Sequence, residues 1–162
     1  MKTYQIYIDS AAGTLRPNFG GAINDYKFDW SVIPEGEYEM SFSFMSRLEK
    51  LTNTEAEAVT YPIQLEIDIP FSGNNYKVRG NAGSIGFAGG THVTGLLEIK
   101  DQHKSSSHTM RLLVSDPNLN KPISLYGKPQ GMDFSVSLLA HGGVYATNPP
   151  LYNMVVFLKH IC

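Results

Sequence analysis

Lys27-Phe28-Asp29-Trp30-Ser31-Val32-Ile33-Pro34-Glu35-Gly36-Glu37-Tyr38-Glu39-Met40-Ser41-Phe42-Ser43-Phe44 is the most strongly patterned stretch of this chain. Successive side chains of a strand point to opposite faces, so such a stretch is taken in steps of two. Phe28, Trp30 and Val32 fall on one side, and Lys27, Asp29 and Ser31 on the other. After Pro34-Glu35-Gly36 the alternation resumes, with Tyr38, Met40, Phe42 and Phe44 against Glu37, Glu39, Ser41 and Ser43. Proline presets one turn angle and glycine tolerates positive φ, so the pattern predicts an antiparallel hairpin turning at Pro34-Glu35-Gly36. Burying one large apolar side chain is worth roughly 1.5–3 kcal/mol, so the dry face requires a second sheet to cover it.

Outward from this stretch the same period recurs. Tyr4, Ile6 and Ile8 predict a strand at 3–9, followed by a long loop at 10–24 containing Gly13, Pro17, Gly20 and Gly21. Ser46–Tyr61 is the single helical candidate, a short amphipathic turn or two through Leu48, Leu51, Ala56 and Ala58, with a polar excursion between strands as the alternative. Strands are predicted at 63–69, 76–79, 93–100 (with Gly95 marking a bulge), 110–114, 123–126 and 132–138, with a solvated loop at 101–108. The last, 151–161, is apolar on both faces, which places it mid-sheet beneath a loop or against another chain. Eight to ten strands at regular spacing predict an all-β antiparallel sandwich over 1–162, a single domain best fitted by a single jelly roll.

At 162 residues the chain is long enough to bury about 70% of its unfolded surface in one domain. Charged residues make up 17% and the net charge is −2, with no basic run that would attract nucleic acid or an anionic membrane. Cys162 is the lone cysteine, which excludes an internal disulfide and a cysteine zinc site. Met1–Ile6 has no signal-peptide apolar core, and no window reaches the ~18 apolar residues of a membrane helix. The expectation is a chain made in the cytoplasm and not secreted.

Motifs for chemistry are sparse. His92, His103, His108, His141 and His160 include no His-x-His pair of the cupin type, and His103 and His108 alone leave a metal short of ligands. The cluster Gly80–Gly90 lacks the Lys-Ser/Thr of a phosphate loop, and there is no Gly-x-Ser-x-Gly elbow. Glu35, Glu37 and Glu39 sit at the turn and on the polar face, as solvated surface carboxylates rather than a catalytic pair. The expectation is no enzyme, no catalytic residue, no metal and no cofactor. Tyr7, Tyr61, Tyr76, Tyr126, Tyr145 and Tyr152 fall at strand ends or in loops, where tyrosine suits a protein interface or sugar stacking.

The Trp30 to Phe44 stretch, Ile69-Pro70-Phe71-Ser72-Gly73-Asn74-Asn75-Tyr76 and Asn148-Pro149-Pro150-Leu151-Tyr152-Asn153-Met154 together resemble single jelly-roll proteins from virions of double-stranded DNA viruses (virophages, polinton-like viruses and larger relatives). The resemblance implies a structural role, as a minor capsid or penton-like subunit in the virion, contacting itself and other capsid proteins. A carbohydrate- or ligand-binding jelly-roll module is the alternative. Since 151–161 offers two apolar faces and one core exists, Tyr152, Met154, Val156 and Leu158 are the candidate interface.

Overall fold

The computed structural model describes residues 1–50, 63–69, 92–104, 109–139 and 151–162. Among them are ten strands, two single-turn 3-10 helices and no α-helix. The strands are β1 (Thr3–Asp9), β2 (Thr14–Leu15), β3 (Ile23–Lys27), β4 (Tyr38–Lys50), β5 (Ile63–Asp68), β6 (His92–Lys104), β7 (Thr109–Ser115), β8 (Ile123–Leu125), β9 (Asp133–Leu139) and β10 (Tyr152–His160).

Their pairing is nested. β1 pairs with β10, β3 with β9, β4 with β7 and β5 with β6, all antiparallel. The chain is thus one long hairpin folded back along its length. Two further contacts, β10 with β4 and β9 with β5, wrap that hairpin into two layers. The layers are β1-β10-β4-β7 and β6-β5-β9-β3, continuous through β6–β7, with β2 beyond β3 and the short β8 beside the start of β4. Eight principal strands in this order form the two Greek keys of a jelly roll.

One inward row per strand builds the core. Ile6, Ile8, Met154, Val156, Leu158, Tyr38, Met40 and Phe44 from one layer meet Leu65, Ile67, Val93, Leu97, Phe134, Val136 and Leu138 from the other. A strand period of two places these side chains on one face, which is why the apolar alternation in the sequence marks the strands.

The predicted hairpin at 27–44 does not form. β3 ends at Lys27 and pairs with β9, in the opposite layer from β4. Between them Asp29 Oδ1 accepts from Ser31 N at 3.0 Å and from Ser31 Oγ at 2.6 Å, capping a 3-10 turn at Trp30–Val32. Those hydrogen bonds stabilise the Asp29 carboxylate and lower its pKa. A turn there breaks the alternation: Trp30 is buried, Phe28 packs partly against the core, and Val32 is 65% exposed. Tyr38, Met40 and Phe44 keep the inward side of β4 as predicted, with Phe42 partly buried.

Other boundaries move as well. β4 runs as strand to Lys50, through the start of the helical candidate, whose remainder lies outside the described residues. β6 continues to Lys104 through the predicted loop, and its register shift falls between Ile99 and Asp101 rather than at Gly95. The 10–24 loop contains a 3-10 turn at Ser10–Ala12, β2, and the beginning of β3. The 76–79 strand, the Gly80–Gly90 cluster and 105–108 lie outside the described residues.

Candidate functional site

Two outer surfaces are built by the strands. The first is the solvent side of β1-β10-β4. Its cross-strand rows are Thr3–Lys159–Glu39, Gln5–Phe157–Ser41, Tyr7–Val155–Ser43 and Asp9–Asn153–Met45. Tyr7 is 65% exposed and Met45 55%, while Val155 and Phe157 are half-buried between them. The Tyr7 hydroxyl donates to Asn153 Oδ1 at 2.6 Å, which ties the side chain to β10. Charge is confined to the ends, with Lys159 and Glu39 paired at 3.7 Å and Asp9 accepting from Ala11 N. The middle two rows carry none.

The predicted interface residues are on the other side of β10. Tyr152, Met154, Val156 and Leu158 are 4%, 1%, 0% and 0% exposed within the single chain, so they face the core and not another molecule. β10 does lie mid-sheet, between β1 and β4, as predicted. Both of its rows are apolar in the sequence, and the choice between them is set by which row meets Ile67 and its neighbours across the sandwich. The surface residues missed by the sequence reading are Val155, Phe157 and Met45; Tyr7 was among the expected exposed tyrosines, as was Tyr126 at 62%.

Tyr152 is instead part of a buried polar bridge between the layers. Its hydroxyl lies 2.9 Å from the Tyr26 hydroxyl and accepts from Asn24 Nδ2 at 3.4 Å, while Tyr152 N donates to Ser10 Oγ at 3.0 Å. Burial disfavours the phenolate and raises both tyrosine pKa values.

The second surface is a groove of about 990 Å³ on the outer side of β3-β9-β5, lined by Thr14, Arg16, Asp25, Lys27, Asp68 and Asp133, with Tyr26 and Phe134 beneath. Register aligns Thr14, Asp25, Ser135 and Asp68 in one row. Arg16 holds Asp25 in a two-pronged pair (Nη2–Oδ1 2.5 Å, Nε–Oδ2 3.2 Å), and Lys27 lies 3.8 Å from Asp133. Hydroxyls and paired charges of this kind suit hydrogen bonding to a polar, uncharged ligand.

Among the described residues no three His, Cys, Asp or Glu side chains come together as a metal site. His92 opens β6, His103 lies near its end, and His160 ends β10 with its ring 5.1 Å from that of Tyr38. His108 and His141 lie outside the described residues, as do Tyr61, Tyr76 and Tyr145. Glu35 pairs with Lys128 at 2.9 Å, and Glu39 with Lys159. Cys162 is exposed, and the carboxylate of Glu37 beside its thiol raises the thiol pKa. No helix among the described residues is long and apolar enough to cross a membrane. Comparison with protein-family models, curated proteins and solved structures finds no match to any of them.

Proposed function

We propose that this chain is a structural subunit of a virion, a minor capsid or penton-like protein that assembles with copies of itself and with other capsid proteins. The observation that carries the reading is the outer face of β1-β10-β4, with Tyr7, Met45, Val155 and Phe157 set among serines and glutamine. Interfaces are enriched in aromatic residues and methionine at their centres and depleted of charge there. The jelly-roll order agrees with the resemblance of the sequence to double-stranded DNA virus proteins, since capsid shells are one of the recurring uses of this architecture.

The test is replacement of Val155 and Phe157 together by Lys, followed by light scattering and electron microscopy. Both side chains are only half-buried, so the fold tolerates the change while the face acquires charge. Loss of large assemblies from a folded variant supports the reading. Wild-type assemblies that persist unchanged in the variant overturn it.

A second reading, a carbohydrate- or ligand-binding module, draws on the groove over Asp25, Ser135 and Asp68. Saturable glycan binding abolished by Asp25→Ala, in a chain that never assembles, would favour it.

A further inference from the structure

Sheets expose unpaired backbone groups at their edges, and natural edges are kept short, charged, kinked or plugged. Several edges of this protein follow that rule. β2 is two residues long, and β8 is three residues long and preceded by Pro122. Along β6, beyond the end of β7, the Asn120 side chain acts as a one-residue strand. Its Oδ1 accepts from Leu96 N at 2.7 Å and its Nδ2 donates to Leu96 O at 3.0 Å. Along β4, in the gap between β7 and β8, Ser115 Oγ accepts from Phe44 N at 2.9 Å.

β1 is the exception. It ends the sheet, pairs among the described residues with β10 alone, and keeps an unbroken register from Thr3 to Asp9. It contains no proline, and its single charge is the terminal Asp9. The phase of its hydrogen bonds is fixed by His160 N donating to Lys2 O at 2.8 Å. In an antiparallel ladder the residues that exchange bonds with a neighbour alternate. Lys2, Tyr4, Ile6 and Ile8 therefore bond to β10, and the N–H and C=O groups of Thr3, Gln5, Tyr7 and Asp9 point outward.

We propose that the outward edge of β1 is the docking site for β1 of a second copy of this chain, joined antiparallel about a two-fold axis. A two-fold pair must match itself. The register that overlaps all seven residues sets Thr3 opposite Asp9, Gln5 opposite Tyr7, Tyr4 opposite Ile8, and Ile6 opposite its own counterpart. Thr3–Asp9 and Gln5–Tyr7 are then the hydrogen-bonded pairs, as the phase requires. Tyr4–Ile8 is an aromatic–β-branched pair, a favourable cross-strand combination, and no like charges face one another. The joined sheets also place the Tyr7, Val155 and Phe157 patches of both copies on one continuous surface. The proposal rests on the assembly reading only in taking a second copy as partner.

The test uses the full chain at high micromolar concentration. Gln5→Pro removes one outward N–H and none of the bonds to β10, and proline is tolerated at just such edge positions. The wild type runs as a dimer or a multiple of dimers, and Gln5→Pro stays folded and becomes monomeric. A second measurement reads the register directly. In a Cys162→Ser background, chains carrying Gln5→Cys are mixed with chains carrying Tyr7→Cys and oxidised. Opposed hydrogen-bonded residues have Cα atoms about 5.5 Å apart, within the range of about 4.4–6.8 Å that a disulfide spans. The mixture cross-links and Gln5→Cys alone does not. A monomeric wild type, a dimer indifferent to Gln5→Pro, or absence of the mixed cross-link overturns the proposal. Val155→Lys with Phe157→Lys separates the two readings, because it abolishes larger assemblies and leaves the β1 cross-link in place.

Discussion

Gly95 and Phe42 meet across the sandwich: a methyl group built on Gly95 would overlap Cζ, the tip of the Phe42 ring. Gly95 is on β6 and Phe42 on β4, so glycine here makes room for an aromatic ring between the two layers. Gly95→Ala forces the ring or a strand to shift, and overpacking of this kind costs about 1–3 kcal/mol. Thermal unfolding of Gly95→Ala should show the lowered midpoint. Phe42→Leu combined with Gly95→Ala should recover part of the loss, because the two changes share one space.

Trp30 is 1% exposed, and its indole Nε1 has no hydrogen-bond partner among the described residues. Trp30→Ala leaves a large cavity and should cost about 3–5 kcal/mol in denaturant unfolding. Trp30→Phe should cost much less, because it retains most of the packing against Phe28 and Phe134 and removes the unsatisfied N–H. Equal losses for the two variants would contradict this packing.

These residues show how far the sequence carries. The alternation at Tyr38–Phe44 and at Ile6–Ile8 is a property of extended backbone, and both strands form where that period predicts them. Phe28, Trp30 and Val32 show the same period but surround a 3-10 turn, because the Asp29 side chain competes for the Ser31 backbone N–H. The Asp-x-Ser spacing was the available signal, and it outweighs three alternating apolar residues. In β10 the continuous apolar run gives the strand and its mid-sheet position, but two apolar rows contain no information on which faces inward. That depends on residues of the other layer, far away in sequence.

The tyrosine bridge makes a pH prediction. Burial raises the pKa of Tyr26 and of Tyr152 above the ordinary tyrosine value of about 10. A group whose pKa is raised on folding stabilises fully below its unfolded pKa, and that contribution is lost as pH rises from there toward the folded value. Stability should therefore hold through neutral pH and fall progressively above about pH 10. Tyr26→Phe with Tyr152→Phe should flatten the alkaline decline of the denaturant midpoint, at the cost of the hydrogen bond of 2.9 Å.

Asn120→Ala unplugs β6. Two neutral hydrogen bonds to Leu96 are lost, each worth about 0.5–1.5 kcal/mol. Amide exchange at Leu96 should accelerate well beyond the change at Leu65 and Ile67, which lie in the same layer but remain paired on both sides, between β6 and β9.

Val156→Asp separates the core face of β10 from its outer face. Val156 is 0% exposed, so a carboxylate there should unfold the chain, whereas Val155→Lys with Phe157→Lys should leave circular dichroism and Trp30 fluorescence unchanged.

Electron microscopy of the purified full chain, concentrated alone and together with capsid proteins of a double-stranded DNA virus, is the most direct test of the proposed role in assembly. A capsid subunit gives closed rings or larger regular particles, or takes up fixed positions in the shell, with the Tyr7–Val155–Phe157 face buried between molecules. A chain that remains a dispersed monomer at every concentration and joins no shell contradicts that role.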